Sequence, residues 1–505
     1  MGLLSSALQA EKSHGREHID YHVVVPVEDP HVRLSAGGCL PPVDADQDRS
    51  NTSLSPSALM RFLQPIKCWL KFLASSFLAT VIIFTIYHPI GSAFRTSEQD
   101  QVQFEIAFQS STQDDNLPTL QTDDIERRIL DAAPILGFYE QSDGRLSNWM
   151  SGIPDDVPIT RNLFTQASFG ALYEGNYTQA TQDLLEPVTG KIPPAIAYQC
   201  HDRSLFQMLG DGIRFFDFRV GFLPGHKQLG FFHSAALLST TATLPDVLLG
   251  FYKWLDDHPS ETILISIKVD NATFGSPPSN GQPSSRRLQL MIYELLTQSE
   301  LARNHWLQED SKLGTLGQTR GKMIFVQRID WNEVRGADGY APIGIALPPG
   351  QFEVNSKNFT IEYNREEHMR AFVEDFYNIL PNPTSVEEKF ALKFAAVQAH
   401  LGLAARADPQ TVDQLFITFA SGGALLNIPP VTPKMLAIGT GEGESLRNAV
   451  NERIARLIQE EYTGGVDNGE ERKRLGILIF DWYHQVPSLI LSVISQNPSL
   501  PANHL

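Results

Sequence analysis

From about residue 135 onward the chain alternates short, continuously apolar runs with stretches of helical period. The apolar runs are IRFFDFRV, LGFFHS, TILISIKV, KMIFVQRI, LFITFA and LGILIFDW, rich in β-branched and aromatic residues and each of strand length. Between them, apolar residues recur at helical spacing over Leu244 to Asp256, Ser284 to Arg303, Glu366 to Leu380, Val386 to Leu401 and Leu446 to Tyr462, which predicts helices. Strands that are apolar on both faces belong in a parallel sheet covered by helices. The expectation is therefore an α/β fold, a distorted (β/α)8 barrel of the TIM type over residues 136–505, with a doubly wound open sheet as the alternative. An open sheet of that kind brings a glycine-rich phosphate loop after its first strand, and no convincing GxGxxG or GxxxxGK[ST] occurs.

The pattern before the barrel is different. Residues 1–68 mix Pro, Ser, Asp and Gly without a sustained period, as a disordered tail does. No Asp, Glu, Lys or Arg occurs from Phe72 to Phe94, which predicts one transmembrane signal-anchor helix over residues 69–94, with a linker over 95–135. Arg61, Lys67 and Lys71 flank its N-terminal side, whereas Arg95 is soon followed by Glu98 and Asp100, so the positive-inside bias places the N-terminus in the cytosol. The barrel is then expected on the lumenal or extracellular side, where the sequons at Asn176, Asn271 and Asn358 fit.

The 505-residue chain has a formal net charge of -18, which argues against nucleic acid as a partner, because phosphate backbones are bound by Lys and Arg. Its three cysteines, Cys39, Cys68 and Cys200, give neither a disulfide framework nor a zinc site.

Active sites of such barrels sit where the strands end. The run DGIRFFDFRVGF supplies Arg214, Asp217 and Arg219, the next run ends on His233, and SETILISIK ends on Lys268. Gathered at one mouth, these suit a phosphate: Arg grips it bidentately, Lys adds a point charge and His can donate a proton. Each residue also has a plainer reading: Asp217 and Arg219 as an interior ion pair, His233 as a core histidine, and Lys268 as a side chain reaching solvent from a strand end. A barrel glycosidase using two carboxylates among Asp217, Asp270 and Asp481 is a further reading, disfavoured by the neighbouring Arg and Lys.

GIRFFDFRV, a histidine after a short strand, and TLPDVLLGFYKWLDDHPSETILISIK together resemble the X-type catalytic region of phosphatidylinositol-specific phospholipases C, particularly the metal-independent bacterial and fungal forms. The resemblance is ordered over Trp149 to Lys268, with weaker echoes in RGKMIFVQRIDW and FDWYHQVPSLILSVISQNP. It implies that His233 protonates the leaving diacylglycerol oxygen, that Arg219 and Lys268 stabilise the phosphate charge, and that Asp217 holds this group in place. Arg214 and Asp481 complete the expected set as substrate-binding groups. Where calcium-dependent members use a carboxylate this chain has Arg219, so the resemblance implies no metal and no other cofactor.

One departure matters. The family carries a first histidine near the start of the barrel, as the base for the attacking hydroxyl. Aligned on the lead-in NWMSGIPDDVPITRNLF, this chain places Phe169 there, followed by Gly170, and no histidine occurs between His88 and His201. His201, expected as a surface or capping residue, and Asp481 are the nearest substitutes. Two functions follow as expectations: a membrane-anchored phosphoric diester hydrolase acting on a phosphoinositide or related phosphodiester lipid, or a catalytically inactive relative that binds a phosphate or inositol phosphate.

Overall fold

The computed structural model describes residues 122–161, 164–167, 177–224, 227–270, 285–337, 339–379, 385–407, 414–463 and 472–501. The expected tail, the apolar segment at 69–94, Phe169, Gly170, Asn176 and Asn271 lie outside these residues. Among the described residues no helix is long and apolar enough to cross a membrane.

The strands are β1 (Phe164–Ala167), β2 (Phe215–Phe222), β3 (Leu229–His233), β4 (Ala236–Leu237), β5 (Thr262–Val269), β6 (Lys322–Arg328), β7 (Ile345–Ala346), β8 (Phe359–Asn364), β9 (Met369–Glu374), β10 (Gln414–Phe419) and β11 (Ile477–Phe480). Eight run parallel in the order β7-β6-β5-β2-β1-β11-β10-β9, and β8 adds antiparallel to β9. The two ends of this path, β7 and β8, approach each other without pairing, so the barrel-like order is present and closure by hydrogen bonds is not. Every residue of β2 and of β5 is buried, as expected of strands covered on one side by helices and packed inward on the other.

The helix Leu244–Asp257 starts where Thr243 accepts the Asp246 amide and buries Val247, Phe251, Trp254 and Leu255. The helix Val386–Arg406 opens with a capping box between Ser385 and Glu388. Two other helical stretches are broken: Ser299 caps a second helix, Glu300–His305, after Arg286–Thr297, and Ala449 separates Gly443–Asn448 from Val450–Leu457.

Two expectations are corrected here. The described residues of the segment Glu366 to Leu380 do not form a helix: they close the turn of the β8–β9 hairpin, with His368 at φ 57°, and continue as β9. Ala371 and Val373 alternate into the core, and pairing with β10 overrides a helical preference that is intrinsically weak. The folded unit also begins earlier than residue 136. Contacts divide the chain into Met1–Asn116 and Leu117–Leu505, and within the second unit the helix Thr122–Asp131 packs on Leu244–Asp257, with Arg128 bonded to Asp246 at 2.6 Å. The strands and helices of this second unit bury their apolar faces on one another, from Ile129 to Leu500.

Candidate active site

Parallel pairing sets Arg219 opposite Lys268 and Lys268 opposite Arg328. Neighbours in register point to the same face, so β2, β5 and β6 present three cationic side chains at one level, near their C-terminal ends. Two residues earlier Asp217 stands opposite Ser266. The intervening Phe216 and Phe218 face the other way, edge-on to Phe251 of the covering helix.

Asp217 is the anchor of this group. Its Oδ2 accepts from Arg219 Nε at 3.0 Å and Nη2 at 2.6 Å and from Arg328 Nη1 at 3.3 Å, while Oδ1 accepts from Ser266 at 2.8 Å. Burial pushes the Asp217 carboxyl up, but Arg219 and Arg328 outweigh it and hold the pKa below the ordinary value. One carboxylate is thus shared by two guanidiniums. Lys268 feels the remaining surplus: burial, then Arg219 and Arg328, lower its pKa to about 7, partly opposed by Asp270 and Asp217.

His233 ends β3, and its Nδ1 lies 3.1 Å from the carbonyl oxygen of Tyr198. A carbonyl can only accept, so the proton of the neutral ring sits on Nδ1 and Nε2 carries the lone pair. Burial lowers the His233 pKa to about 4, with Arg219 and Lys268 adding to the fall and Asp270 opposing it. The turn behind the ring is pinned by the Ser234 amide, which donates to Asp270 Oδ2 at 2.7 Å with Ser234 at φ 55°. Asp481 follows β11, is buried, and accepts from the Gly422 amide at 3.3 Å. Cys200 Sγ lies 3.4 Å from Tyr198 O and beside the Asp481 carboxylate. Burial and that carboxylate push the thiol well above its ordinary pKa.

Of the residues singled out in the sequence, Asp217, Arg219, His233 and Lys268 gather in one electrostatic neighbourhood, with Asp481 at its edge beside Cys200. Arg214 does not. It precedes β2, is fully buried, and sits at the opposite end of the strands, where Nε donates to Glu261 Oε2 at 2.9 Å. Nη1 donates to Leu209 O and Ile213 O at 2.8 Å each, and Nη2 to Leu146 O at 3.0 Å and Ser147 O at 2.8 Å. All five guanidinium protons are used within the protein, so Arg214 has no donor to offer a ligand. His201 is also corrected: it is fully buried, with its ring 6.2 Å from that of Tyr483.

The structure adds residues that the sequence reading did not place. Arg328 ends β6 as Lys268 nearly ends β5, and its guanidinium stacks 4.0 Å over Phe352. Asp375 and Tyr377 follow β9 and share the field of Arg219 and Arg328. Burial raises the Asp375 carboxyl despite Arg328 and Arg219 nearby. Arg328 was visible as the polar end of an apolar run, whereas Asp375 and Tyr377 were hidden by the helical reading of their segment. A separate pocket of about 240 Å³, lined by Arg145, Asp211 and His484 among others, includes none of these groups.

No family model matches the chain, and no curated protein matches it. Among solved structures, it is similar to a double mutant of the phosphatidylinositol-specific phospholipase C of Staphylococcus aureus, at 20% identity and a TM-score of 0.48, covering 70% of this chain and 97% of that one. It is similar to the enzyme of the same name from Listeria monocytogenes at 19% identity and a TM-score of 0.46, covering 70% and 98%. A calcium-dependent phosphoinositol-specific phospholipase C from a Pseudomonas species gives 11% identity and a TM-score of 0.25, covering 41% and 71%. The likeness found by comparison is thus to structures of bacterial phosphatidylinositol-specific phospholipases C.

Proposed function

We infer that the chain is a phosphoric diester hydrolase of the phospholipase C type, acting on a phosphoinositide or a related phosphodiester lipid at a membrane. The observation that carries this reading is the registered row of Arg219, Lys268 and Arg328, with His233 in the field of Arg219 and Lys268. Arg219 and Arg328 share the Asp217 carboxylate with Lys268 beside them in register, and the planar fork of a guanidinium suits two oxygens of a tetrahedral phosphate.

In such a reaction an attacking hydroxyl bonds phosphorus, the phosphorus–oxygen bond to the glycerol breaks, one proton is taken up and another is delivered to the leaving oxygen. Delivery is the role the sequence resemblance gives to His233. Alone in its cationic surroundings the ring is neutral near pH 7, because its pKa is about 4. A phosphate diester placed among the same cations offsets their charge and raises that pKa, so the ligand itself helps convert His233 into an acid.

Uptake of the first proton is the step that Phe169 puts in question. Asp481 follows Phe480, the register partner of Ala167 on β1, two residues before Phe169 in the sequence. The second reading, a protein that holds an inositol phosphate without turning it over, is favoured by this one position.

Hydrolysis of phosphatidylinositol and of an aryl phosphodiester by the Leu117–Leu505 unit, beside its His233→Ala variant, separates the two. Turnover lost in the variant supports hydrolysis. Inositol phosphate binding without turnover in either protein supports the second reading, and neither binding nor turnover rejects both.

A further inference from the structure

β9 ends on Glu374, and successive residues of a strand face opposite sides of the sheet. Glu374 faces outward, where its register partner Thr418 meets the helix Val386–Arg406 through a 2.8 Å bond between Thr418 Oγ1 and His400 Nδ1. Asp375 faces the other way, into the field of Arg328 and Arg219. Two adjacent residues thus join the helix layer to the candidate site.

The helix reaches this corner with two lysines one turn apart, Lys389 and Lys393, both fully buried. Lys393 Nζ donates to Glu374 Oε1 at 2.9 Å and to the carbonyl oxygen of Phe376 at 2.7 Å. The same Glu374 Oε1 accepts the Phe376 amide at 3.1 Å, so one buried ion pair holds both backbone groups of Phe376. Three residues further on, Lys389 Nζ donates to Ile379 O. Asp375 is fixed from the other side as well: its amide donates to Ser356 O at 2.9 Å, and its Oδ2 accepts the Asn355 amide at 3.3 Å.

A buried ion pair adds little net stability, because the cost of taking two charges out of water offsets their attraction, and apolar residues of similar volume fill a core as well. Burial pushes the Glu374 carboxyl up, and Lys393 and the Phe376 amide only oppose that rise. What apolar residues cannot do is hold one peptide by its N–H and another by its C=O at the same time. The pair stands where the direction of the Asp375 side chain is decided. Asp375 in turn sets how much of the positive charge of Arg219 and Arg328 is left for a ligand.

We propose that Lys393 and Glu374, with Lys389, are positioning residues for the candidate site: from behind the sheet they hold Asp375 beside Arg219 and Arg328 and so tune the affinity of the cationic row for a phosphate. All three act through Asp375 and touch no ligand themselves. The proposal rests on that row being a site for a phosphodiester.

The test measures inositol phosphate affinity by calorimetry, together with melting temperature, on the 505-residue chain. Glu374→Gln with Lys393→Met removes both charges of the pair and leaves neither one buried alone. This double variant is expected to melt close to the wild type and to bind inositol phosphate about fivefold or more weakly. In an Asp375→Asn background the same two substitutions are expected to change affinity by less than about twofold, because the carboxylate that they position is gone. Lys389→Met keeps the pair and releases Ile379 O, and it is expected to weaken binding in the same direction; where the double variant does not fold, this variant decides, alone and in the Asp375→Asn background. Unchanged affinity in the deciding variant at unchanged melting temperature makes the buried lysines structural and overturns the proposal. A loss that persists undiminished in the Asp375→Asn background overturns it too, since the effect then bypasses Asp375. A wild type that binds no inositol phosphate rejects the phosphodiester site, and the positioning role with it.

Discussion

His233 Nδ1 donates to the carbonyl oxygen of Tyr198 at 3.1 Å, and this bond fixes which ring nitrogen can exchange a proton with a ligand. The unfolded chain protonates this imidazole below about pH 6.5, whereas the folded protein does so only near pH 4. Between those values the unfolded state binds more protons, so stability falls as pH drops from 6.5 toward 4, and this group adds no further slope below. Lys268 acts in another window: from about pH 7 to 10.5 the unfolded chain keeps a proton that the folded one sheds, so its contribution to stability rises with pH there. Denaturant midpoints of wild type and His233→Ala across pH 4 to 7 should show the acid slope reduced by up to about one proton in the variant. An unchanged slope would mean that His233 titrates normally in the folded protein.

Arg214 and Glu261 should matter for stability alone. Arg214→Met leaves Glu261 buried without its partner, and the loss should be about 3–5 kcal/mol by chemical denaturation. The affinity of the folded fraction for inositol phosphate should stay the same. A selective loss of affinity at constant stability would return Arg214 to the binding site.

Arg328 should behave in the opposite way. Its guanidinium shares Asp217 with Arg219, and Arg328→Met removes a charged donor from the row, so inositol phosphate affinity should fall roughly tenfold to a hundredfold. Calorimetry that finds unchanged affinity would remove Arg328 from the ligand site.

Phe169→His tests the reading in which Phe169 stands where the resembled family carries its first histidine. If the missing base alone limits turnover, the variant should gain about two to four orders of magnitude in phosphatidylinositol cleavage. Equal rates in wild type and variant would show that the base lies elsewhere or that the remaining groups are not aligned.

Much of this site was legible as strand ends. TILISIKV is β5 residue for residue, and the lysine closing an otherwise apolar run marked the level at which Arg219 and Arg328 also stand. Arg214 was misplaced because a strand's two ends look alike in sequence: only the fold shows Glu261, Leu146 and Ser147 closing around it. Asp375 and Tyr377 were missed for another reason. MRAFVED carries apolar residues at a spacing that suits either period, and its choice is made by β10, some forty residues away in sequence.

The level row of Arg219, Lys268 and Arg328 also bears on how the sheet finds its alignment during folding. A slip of one residue between β2 and β5 would turn one strand's cation toward the helix layer, where Phe216 and Phe218 now meet Phe251. A buried charge facing aromatic rings without a carboxylate is far costlier than a misplaced Val or Ile. The charges at the strand ends therefore act as keys to strand alignment. A variant with all three cations exchanged for apolar residues would lose a safeguard against misaligned strands as well as a place for an anion.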